Sequence, residues 1–361
     1  MRLGWIALTA FRSYRDLHFE PDAGINVLVG DNGAGKTNLL EAIGFLATGR
    51  SFRGAPDEAL IGTDQEAAIV RGEVIRDERH LVIEMELKAR GGRRFLINRT
   101  KVARAGELAE AFRVVTFLPD DLDILKGGPG RRRELLDEAA ALIWPAAATE
   151  QSEFDRVLRQ RNAFLRRREA DSTTLDVWDE RLASAAGQVM VRRARSAALL
   201  EKPAAEAYQE IAGGASVVGF NYRSEWGGSL DPVVGAAQHQ FKLHEVLGRN
   251  RRTDVERGLT TAGPQRDEPV ILLNGQDMRY RASQGEQRST ALALRLATHR
   301  AVEEAAGEAA VLVLDDVFSE LDPSRSSALV ASLPEVQTFV STAHEVPVSG
   351  RRYRVEEGTI R

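Results

Sequence analysis

Apolar and polar residues follow two different periods along the first fifty residues. Residues 3–8 are largely apolar, a polar segment follows, and residues 25–29 form a second, mostly apolar run. After Gly35 the spacing becomes helical, and four apolar residues share one face of that helix: Leu39, Leu40, Ile43 and Leu46. The pattern predicts strands around a turn, followed by an amphipathic helix that begins at Lys36.

The period shortens to two between about residues 66 and 103. Apolar and charged residues alternate strictly over residues 83–88, which is typical of an antiparallel strand with one buried face. Gly91 and Gly92 then predict a hairpin turn. This part of the chain is therefore expected to form antiparallel β-structure.

A long helical stretch follows, from about residue 130 to residue 212. It is rich in Ala, Leu, Arg and Glu, and we expect its helices to break near Pro145, at residues 171–174 and near Pro203. Strand character returns near residues 217–226 and 270–273. The middle of the chain is predicted to be a separate, mostly helical lobe.

The C-terminal part returns to alternating strands and helices. A helix is predicted from about residue 284 to 305, and the apolar run at residues 311–314 is typical of a buried parallel strand. Strands at residues 338–341 and 353–355 complete the pattern, closing through Gly358.

Composition excludes several classes without selecting one. A chain of 361 residues exceeds the usual size of one hydrophobic core, and a formal net charge of −4 suggests neither a basic nucleic-acid binder nor an acidic solvated chain. The absence of cysteine excludes disulfides, thiolate metal sites and a cysteine nucleophile. No signal-peptide core and no spanning apolar run occur, so we interpret the chain as cytoplasmic, soluble and without a membrane partner.

Residues 30–37, GDNGAGKT, match the phosphate-loop pattern G-x-x-x-x-G-K-[ST]. The match lies between an apolar strand and an amphipathic helix, which makes a chance glycine-rich turn a poor alternative. Lys36 is expected to reach the β- and γ-phosphates of ATP, and the Thr37 hydroxyl to bind Mg²⁺. The predicted nucleotide-binding residues of this loop are Gly30, Asp31, Asn32, Gly33, Ala34, Gly35, Lys36, Thr37 and Asn38.

Two carboxylates end the predicted strand at residues 311–314, on the side where open α/β sheets bind ligands. Asp315 is predicted to hold Mg²⁺, and Asp316 to orient or deprotonate the water that attacks the γ-phosphate. A solvated acidic turn is the alternative, which the phosphate loop makes less favourable. His344 follows another strand, at a spacing that favours a γ-phosphate contact over a purely structural histidine.

The helix predicted from residue 284 opens with Ser283, Gln284, Gly285, Glu286 and Gln287. Serine with glutamate three residues later is a capping box, and a serine and a glycine at a helix N-terminus also form an anion site; both interpretations can hold. In ABC ATPases this element, written LSGGQ, meets the γ-phosphate bound by the opposite subunit. Ser283, Gly285 and Glu286 are therefore candidate nucleotide contacts.

Taken together, these motifs resemble those of ABC ATPases and, within them, the RecF family. The resemblance runs nearly end to end, through LTAFRSYRDLHF, GDNGAGKTNLLEAI, GRSFR, TFLPDDL, KGGPGRRRELLD, QRNAFLR, AGPQRDE, SQGEQR and VLVLDDVFSELD. It implies an ATP-dependent homodimer with weak ATP hydrolysis that binds DNA at single-strand/double-strand junctions. It also implies cooperation with RecR and RecO in loading RecA at gaps, and roles in replication and the SOS response. The resemblance also makes Arg12, Ser13 and Arg53 candidate nucleotide contacts, because they lie in these family-like motifs.

The fold class implied is α/β, an ABC-type P-loop ATPase head with a mixed sheet, an antiparallel β subdomain and an inserted, mostly helical lobe. The predicted boundaries are 1–127 for the N-terminal part of the head, 128–255 for the lobe and 256–361 for the C-terminal part. The separation of Lys36 and Ser283 argues against a compact membrane-transporter ATPase, the main alternative. It is also too short for the coiled-coil arms of chromosome-organising relatives, and a regulatory binder without activity fits poorly with Lys36, Thr37 and Asp315.

Two departures from the general ABC pattern affect the chemistry. Position 316 is Asp where most of these ATPases have Glu, so the carboxylate stands one methylene further back and hydrolysis is expected to be slow. The usual glutamine that links Mg²⁺ to the inserted lobe is not evident. Asp120 or Asp121, in TFLPDDL, is the open choice for its place.

Arginine clusters in the helical region are candidate DNA contacts in a chain of negative net charge. Such contacts would reach phosphates, depend strongly on salt and ignore sequence. The alternative is a solvated helix face with intrahelical ion pairs. The clusters comprise Arg131, Arg132 and Arg133; Arg156, Arg159, Arg161, Arg166, Arg167 and Arg168; and Arg192, Arg193 and Arg195.

Overall fold

The structure is a computed structural model that describes residues 1–77, 79–104, 106–167, 171–213 and 216–361. The chain forms two compact units. The first unit comprises Met1–Asp121, Glu210–Gly213 and Thr298–Arg361, and the second comprises Leu122–Gln209 and Gly214–Ala297. The domain boundaries at 127/128 and 255/256 remain a prediction beside this division.

An antiparallel sheet occupies the N-terminal part of the first unit. Its strand order is β2-β1-β4-β5-β6-β7. Along residues 83–88 the odd-numbered side chains Ile83, Met85 and Leu87 are buried, as the strict alternation predicts. The strands are β1 (Arg2–Phe11), β2 (Tyr14–Phe19), β4 (Ala67–Arg76), β5 (Arg79–Lys88), β6 (Arg93–Ile97) and β7 (Thr100–Lys101).

A second six-stranded sheet, also in the first unit, has the order β15-β14-β3-β13-β12-β8. All its strand pairs are parallel except β14 with β15, so the carboxyl ends of four central strands lie at one edge. The strands are β3 (Ile25–Val29), β8 (Val114–Phe117), β12 (Val311–Asp315), β13 (Thr338–Thr342), β14 (Arg351–Glu356) and β15 (Thr359–Ile360).

One helix of the first unit, α1 (Lys36–Thr48), carries the apolar face predicted from the sequence. Leu39, Leu40, Ile43 and Leu46 are fully buried and join one hydrophobic core with residues of both sheets. That burial, rather than intrinsic helix propensity, stabilises a helix this short. The other helices of this unit are α2 (Asp57–Leu60), α3 (Gly106–Ala111) and α11 (Pro323–Ser332).

The second unit is mainly helical. Its helices are α4 (Asp123–Lys126), α5 (Pro129–Ile143), α6 (Pro145–Leu165), α7 (Ser172–Ala212), α8 (Ala236–Arg257), α9 (Met278–Arg281) and α10 (Gln284–Ala306), of which α7 and α10 run on into the first unit. Apolar side chains of α6, α7 and α8 form its core, among them Phe154, Leu182, Met190 and Leu243. A small sheet, β11-β10-β9, joins β9 (Val218–Arg223), β10 (Glu268–Leu273) and β11 (Gln276–Asp277).

The predicted break at Pro203 is wrong, because α7 continues through it. A proline inside a helix costs about 3 kcal/mol, since it removes one backbone hydrogen bond and crowds the preceding turn. Leu200, Ala204 and Ala207 are fully buried on either side of it, and their burial offsets that cost. The break near Pro145 is present, and Pro145 is the first residue of α6. The next break falls earlier than predicted, because α6 ends at Leu165 and Ser172–Thr174 already belong to α7.

Candidate functional site

The phosphate loop connects β3 to α1 in the first unit. Gly33 and Gly35 have left-handed backbones, with φ of 86° and 113°, which side chains rarely adopt. A Cβ on Gly35 would lie 3.1 Å from Ser13 Oγ and 3.2 Å from Tyr14 Oη. No side chain in the described part of the chain caps the N-terminus of α1. The first backbone N–H groups of the helix are therefore available to an anion.

Lys36 is buried at the base of this loop. Its Nζ donates to the carbonyl oxygens of Gly30 and Asp31, at 2.7 and 2.9 Å. Burial lowers the pKa of Lys36, and the carboxylates of Asp316, Asp315 and Asp31 oppose that shift. The cation thus stands among acidic groups, inside the loop where the sequence pattern places a phosphate.

The carboxyl end of β12 lies beside the start of α1. Thr37 Oγ1 donates to Asp315 Oδ1 at 2.9 Å, although 278 residues separate them in sequence. Burial raises the pKa of Asp315, the hydrogen bonds from Ser341 and Thr37 lower it, the Asp316 charge raises it and the Arg53 charge lowers it. The predicted Mg²⁺-binding pair is therefore within hydrogen-bonding distance in the folded chain.

Asp316 directly follows β12 and has a left-handed backbone, with φ of 49°. Its carbonyl accepts a hydrogen bond from Ser319 Oγ at 2.7 Å, and its N–H donates to Ser341 Oγ at 2.9 Å. Its carboxylate is close enough to Lys36 to raise the pKa of that amine. Asp316 is half-buried at the same edge of the parallel sheet as the phosphate loop.

His344 follows β13, the strand between those that lead to the phosphate loop and to Asp315. Its backbone N–H donates to Thr342 Oγ1 at 3.1 Å, and its side chain is exposed. The parallel sheet thus brings His344 to the same edge as the loop, and its contact with a γ-phosphate remains a prediction.

The three candidate nucleotide contacts from the family-like motifs lie in different environments. Arg12 forms an ion pair with the fully buried Glu41, at 2.8 Å, and its Nη1 donates to the carbonyl of Ala59. Ser13 Oγ accepts a hydrogen bond from the Asn38 side chain at 2.9 Å, next to the loop. Arg53 is exposed, and its charge acts on Asp315. In this state Arg12 positions a loop against α1, a role that the sequence did not indicate.

Asp120 and Asp121 follow β8, the edge strand next to β12. Asp121 is buried, and its Oδ2 accepts a hydrogen bond from the Leu118 N–H at 2.8 Å. Asp120 is exposed. Of the two, Asp120 therefore has the side chain that a ligand at this edge could reach.

The predicted signature segment lies in the second unit. Ser283 Oγ donates to Glu286 Oε2 at 2.7 Å, and the Glu286 N–H donates back to Ser283 Oγ at 3.3 Å. The Ser283 N–H also donates to Glu286 Oε2, at 2.7 Å. This is the capping box that the spacing predicts. Ser283 is exposed and Gly285 half-buried, at the first turn of a 23-residue helix.

The arginines of these clusters are buried, half-buried or exposed, and the prediction that they lie on the surface is wrong for the buried ones. Arg161, Arg193 and Arg132 are at most 3% exposed. Arg161 lies between Asp179 and Asp254, at 2.8 Å from each, and Arg193 bonds Asp137 at 2.7 Å. These carboxylates come from distant positions, so no local pattern revealed them. The exposed group comprises Arg131, Arg156, Arg159, Arg166, Arg167 and Arg195; Arg133 and Arg192 are half-buried, and Arg168 lies outside the described residues.

The donors at the loop fit a magnesium ion of the kind that binds with a nucleotide. Thr37 and Asp315 offer oxygen atoms, the ligand type Mg²⁺ prefers, and few protein ligands suffice when phosphates and water complete the shell. Across the described ranges, no group of three or more His, Cys, Asp or Glu side chains could hold a metal alone.

A strand, phosphate loop and helix beside a buried acidic strand end, with an antiparallel sheet and a helical unit, define an ABC-type ATPase head. The model of the RecF/RecN/SMC N terminal domain matches residues 2–351. The "DNA replication and repair protein RecF" of Streptomyces avermitilis is 38% identical, over 100% of this chain and 99% of that protein. The protein of that name from Renibacterium salmoninarum is 39% identical over 98% of each chain. The chain belongs to the RecF family of DNA replication and repair proteins.

Solved structures agree with this assignment. The recombination mediator protein RecF bound to ATP, described as part of the RecFOR pathway, superposes with a TM-score of 0.90 at 31% identity, covering 100% of this chain and 98% of the other. An Smc head bound to the C-winged helix domain of ScpA has a TM-score of 0.56 at 16% identity, covering 100% and 96%, and shares the fold. The transporter interpretation is not favoured. No helix in the described part of the chain is long and apolar enough to span a membrane.

Proposed function

We propose that this chain is an ATP-dependent switch that acts on DNA during replication and gap repair. The observation that carries the proposal is the junction of the phosphate loop with the acidic strand end, where Thr37 bonds Asp315 and Lys36 faces Asp315 and Asp316. ATP would bind with its phosphates against the loop and the N-terminus of α1, with Thr37 and Asp315 holding Mg²⁺. The family and an ATP-bound relative of the same fold support this assignment.

Hydrolysis would be slow and would reset the switch. Asp316 would orient or deprotonate the attacking water, and its short side chain holds the carboxylate one methylene further from that water than a glutamate would. Bound Mg²⁺ would neutralise charge on the phosphates, while Lys36 and His344 would contact them. Steady-state phosphate release tests this: a turnover above about 10 s⁻¹, the typical enzyme median, contradicts a slow switch.

ATP would close two copies of the chain into a homodimer. In that dimer the exposed Ser283, with Gly285 and Glu286 at the same helix N-terminus, would meet the γ-phosphate held by the opposite copy. Ser283→Arg is expected to leave ATP binding to the monomer intact and to prevent ATP-dependent dimerisation in sedimentation velocity. The matched control is Ser327→Arg, which places the same charge on an exposed serine of α11.

A patch of exposed arginines at the ends of α6 and α8 would contact DNA phosphates. The arginine patch consists of Arg166, Arg167 and Arg257, all exposed. The ends of the two helices are adjacent, because a Cβ on Gly258 would lie 3.0 Å from Arg166 Cγ. Among the described residues none of the three has an ion-pair partner, and such free cations supply sequence-independent, salt-dependent binding.

The first experiment measures binding to a labelled gapped duplex at two salt concentrations, with ATP, with ADP and without nucleotide. We expect ATP to tighten binding and salt to weaken it, and Lys36→Arg to remove the ATP effect. Replacing the arginine patch with glutamine should make the dependence of log K on log salt shallower by about 0.9 for each lost contact. Arg252→Gln is the control, since Arg252 is 92% exposed but paired with Glu256. Negligible binding in every nucleotide state would contradict a function on DNA.

Cooperation with RecR and RecO in loading RecA at gaps, with roles in replication and the SOS response, belongs to the same proposal. The support is the family, together with the relative described in the RecFOR pathway. Co-sedimentation with purified RecR and RecO, with and without ATP, tests the association. Failure of RecA to load faster on a gapped substrate when all three are added would contradict the role.

A further inference from the structure

Ser341 lies next to Asp315 and Asp316 at the edge of the parallel sheet and has no role in the motifs described above. It is fully buried near the end of β13. Its hydroxyl donates to Asp315 Oδ1 at 2.6 Å and accepts from the Asp316 N–H at 2.9 Å. The Ser341 side chain therefore contacts both acidic residues at the end of β12: the side chain of Asp315 and the backbone of Asp316.

Strand register explains why this position can reach both residues. β12 and β13 are parallel neighbours, and Asp315 pairs with Ser341. The ladder ends at this pair, and the next N–H, that of Asp316, bonds the serine hydroxyl instead of a strand carbonyl. Asp316 then turns into the left-handed region, a conformation of limited stability for a residue with a side chain. The hydrogen bond from its N–H stabilises that turn.

The same hydroxyl also fixes the orientation of Asp315. Asp315 Oδ1 accepts two hydrogen bonds, one from Ser341 and one from Thr37. The Thr37 hydroxyl can keep donating its proton to Asp315 while its lone pairs face a metal ion. Ser341 is the second donor to this oxygen, and it comes from a neighbouring strand rather than from the phosphate loop.

We propose that Ser341 is a positioning residue of the nucleotide site, which orients Asp315 for Mg²⁺ and holds the backbone of Asp316 in its left-handed turn. The inference rests on the proposed function, since it assigns Ser341 a task only if Mg²⁺ and a nucleotide bind at this edge. Groups that orient a metal ligand typically contribute about 10- to 100-fold in metal affinity. Ser341 should therefore act on metal binding and turnover and leave metal-free nucleotide binding unchanged.

The test measures Mn²⁺ binding by electron paramagnetic resonance, in the presence of a non-hydrolysable ATP analogue, for the whole chain and its variants. Ser341→Ala is expected to weaken Mn²⁺ binding about 10- to 100-fold, with unchanged binding of the analogue in EDTA. In steady-state hydrolysis it should lower kcat and raise the Mg²⁺ concentration for half-maximal rate, with little effect on KM for ATP.

Three variants separate positioning from packing. Ser341→Cys keeps nearly the same volume with a weak hydrogen-bonding group, so it should behave like Ser341→Ala, and it replaces that variant if the alanine form does not fold. Ser341→Thr keeps the hydroxyl and should restore metal binding. Thr338→Val removes another fully buried hydroxyl from the same strand, one that donates to the nearby Val336 carbonyl, and should leave metal affinity unchanged.

The outcomes separate this inference from the proposed function. If the unaltered chain binds Mn²⁺ no better with the analogue than without it, the proposed function fails at this site. If it binds both and Ser341→Ala binds Mn²⁺ equally well, the positioning role is overturned and the proposed function stands. If Ser341→Ala and Thr338→Val lose metal affinity alike, the hydroxyl serves packing alone, which also overturns the inference.

Discussion

Replacing Arg161 with leucine should lower the free energy of unfolding of the second unit and leave the affinity for DNA unchanged. Arg161, Asp179 and Asp254 are all fully buried, and Arg161 also donates to Thr260 Oγ1 at 2.8 Å. Removing one member of a buried ion pair leaves an uncompensated charge, at a cost of about 3–5 kcal/mol in the free energy of unfolding.

The structure places the expected loss at the lower end of that range. After removal of Arg161, Asp179 still accepts a hydrogen bond from Arg251 Nε at 2.7 Å. Asp254 still accepts bonds from the N–H and hydroxyl of Thr261, at 2.9 and 2.6 Å. Both carboxylates thus keep one favourable partner, so the predicted loss is about 3 kcal/mol.

Urea unfolding followed by tryptophan fluorescence measures this loss, because Trp144, Trp178 and Trp226 report on the second unit. Arg159→Leu is the matched control, because Arg159 lies two residues earlier on the same helix and is exposed. This variant should change the free energy of unfolding by no more than about 0.5 kcal/mol. DNA affinity is compared under conditions where each variant is folded. The reasoning is refuted if Arg161→Leu is as stable as the unaltered chain and loses DNA binding.

Three further predictions concern the nucleotide site. Gly35→Ala should weaken ATP binding in calorimetry, because the added Cβ meets Ser13 and Tyr14 in a left-handed backbone; an unchanged Kd contradicts the loop geometry. Asp315→Asn should raise the Tm of the nucleotide-free chain at pH 7. Burial raises the pKa of Asp315, so the free energy of unfolding falls as pH rises above the ordinary aspartate pKa of 3.8 and Asp315 ionises. The Asn variant has no such group, so its Tm should fall less over the same pH series. Equal pH dependence of Tm in the two chains would refute the prediction. Asp316→Glu should speed phosphate release by about tenfold, part of the contribution that a well-placed general base makes; a slower variant would show that the carboxylate is already at its best distance.

Local sequence patterns determined a large part of this protein. The phosphate loop, the buried acidic strand, the capping box at Ser283 and the alternation at residues 83–88 each depend on neighbours within about ten residues. They were readable because backbone geometry links such short spacings directly to a strand, a turn or a helix end. The family-like motifs then predicted the ABC-type head with an inserted helical lobe.

Other features followed from neighbours that are distant in sequence. The helix α8 was not predicted, because two of its four buried residues, His239 and Asp254, are polar and break the apolar stripe. Pro203 does not end α7, since burial around it outweighs its local preference. Neither outcome follows from a window of neighbouring residues.

Tertiary structure alone decided which charges are structural and which are accessible. Arg161 and Arg159 look alike in the sequence, yet one is buried between two aspartates and the other faces solvent. Ser341 likewise gains its place only when two parallel strands align in register with Asp315. The contribution of a charge or a hydroxyl to stability depends on the groups that surround it in space, and the chain brings those groups together only on folding.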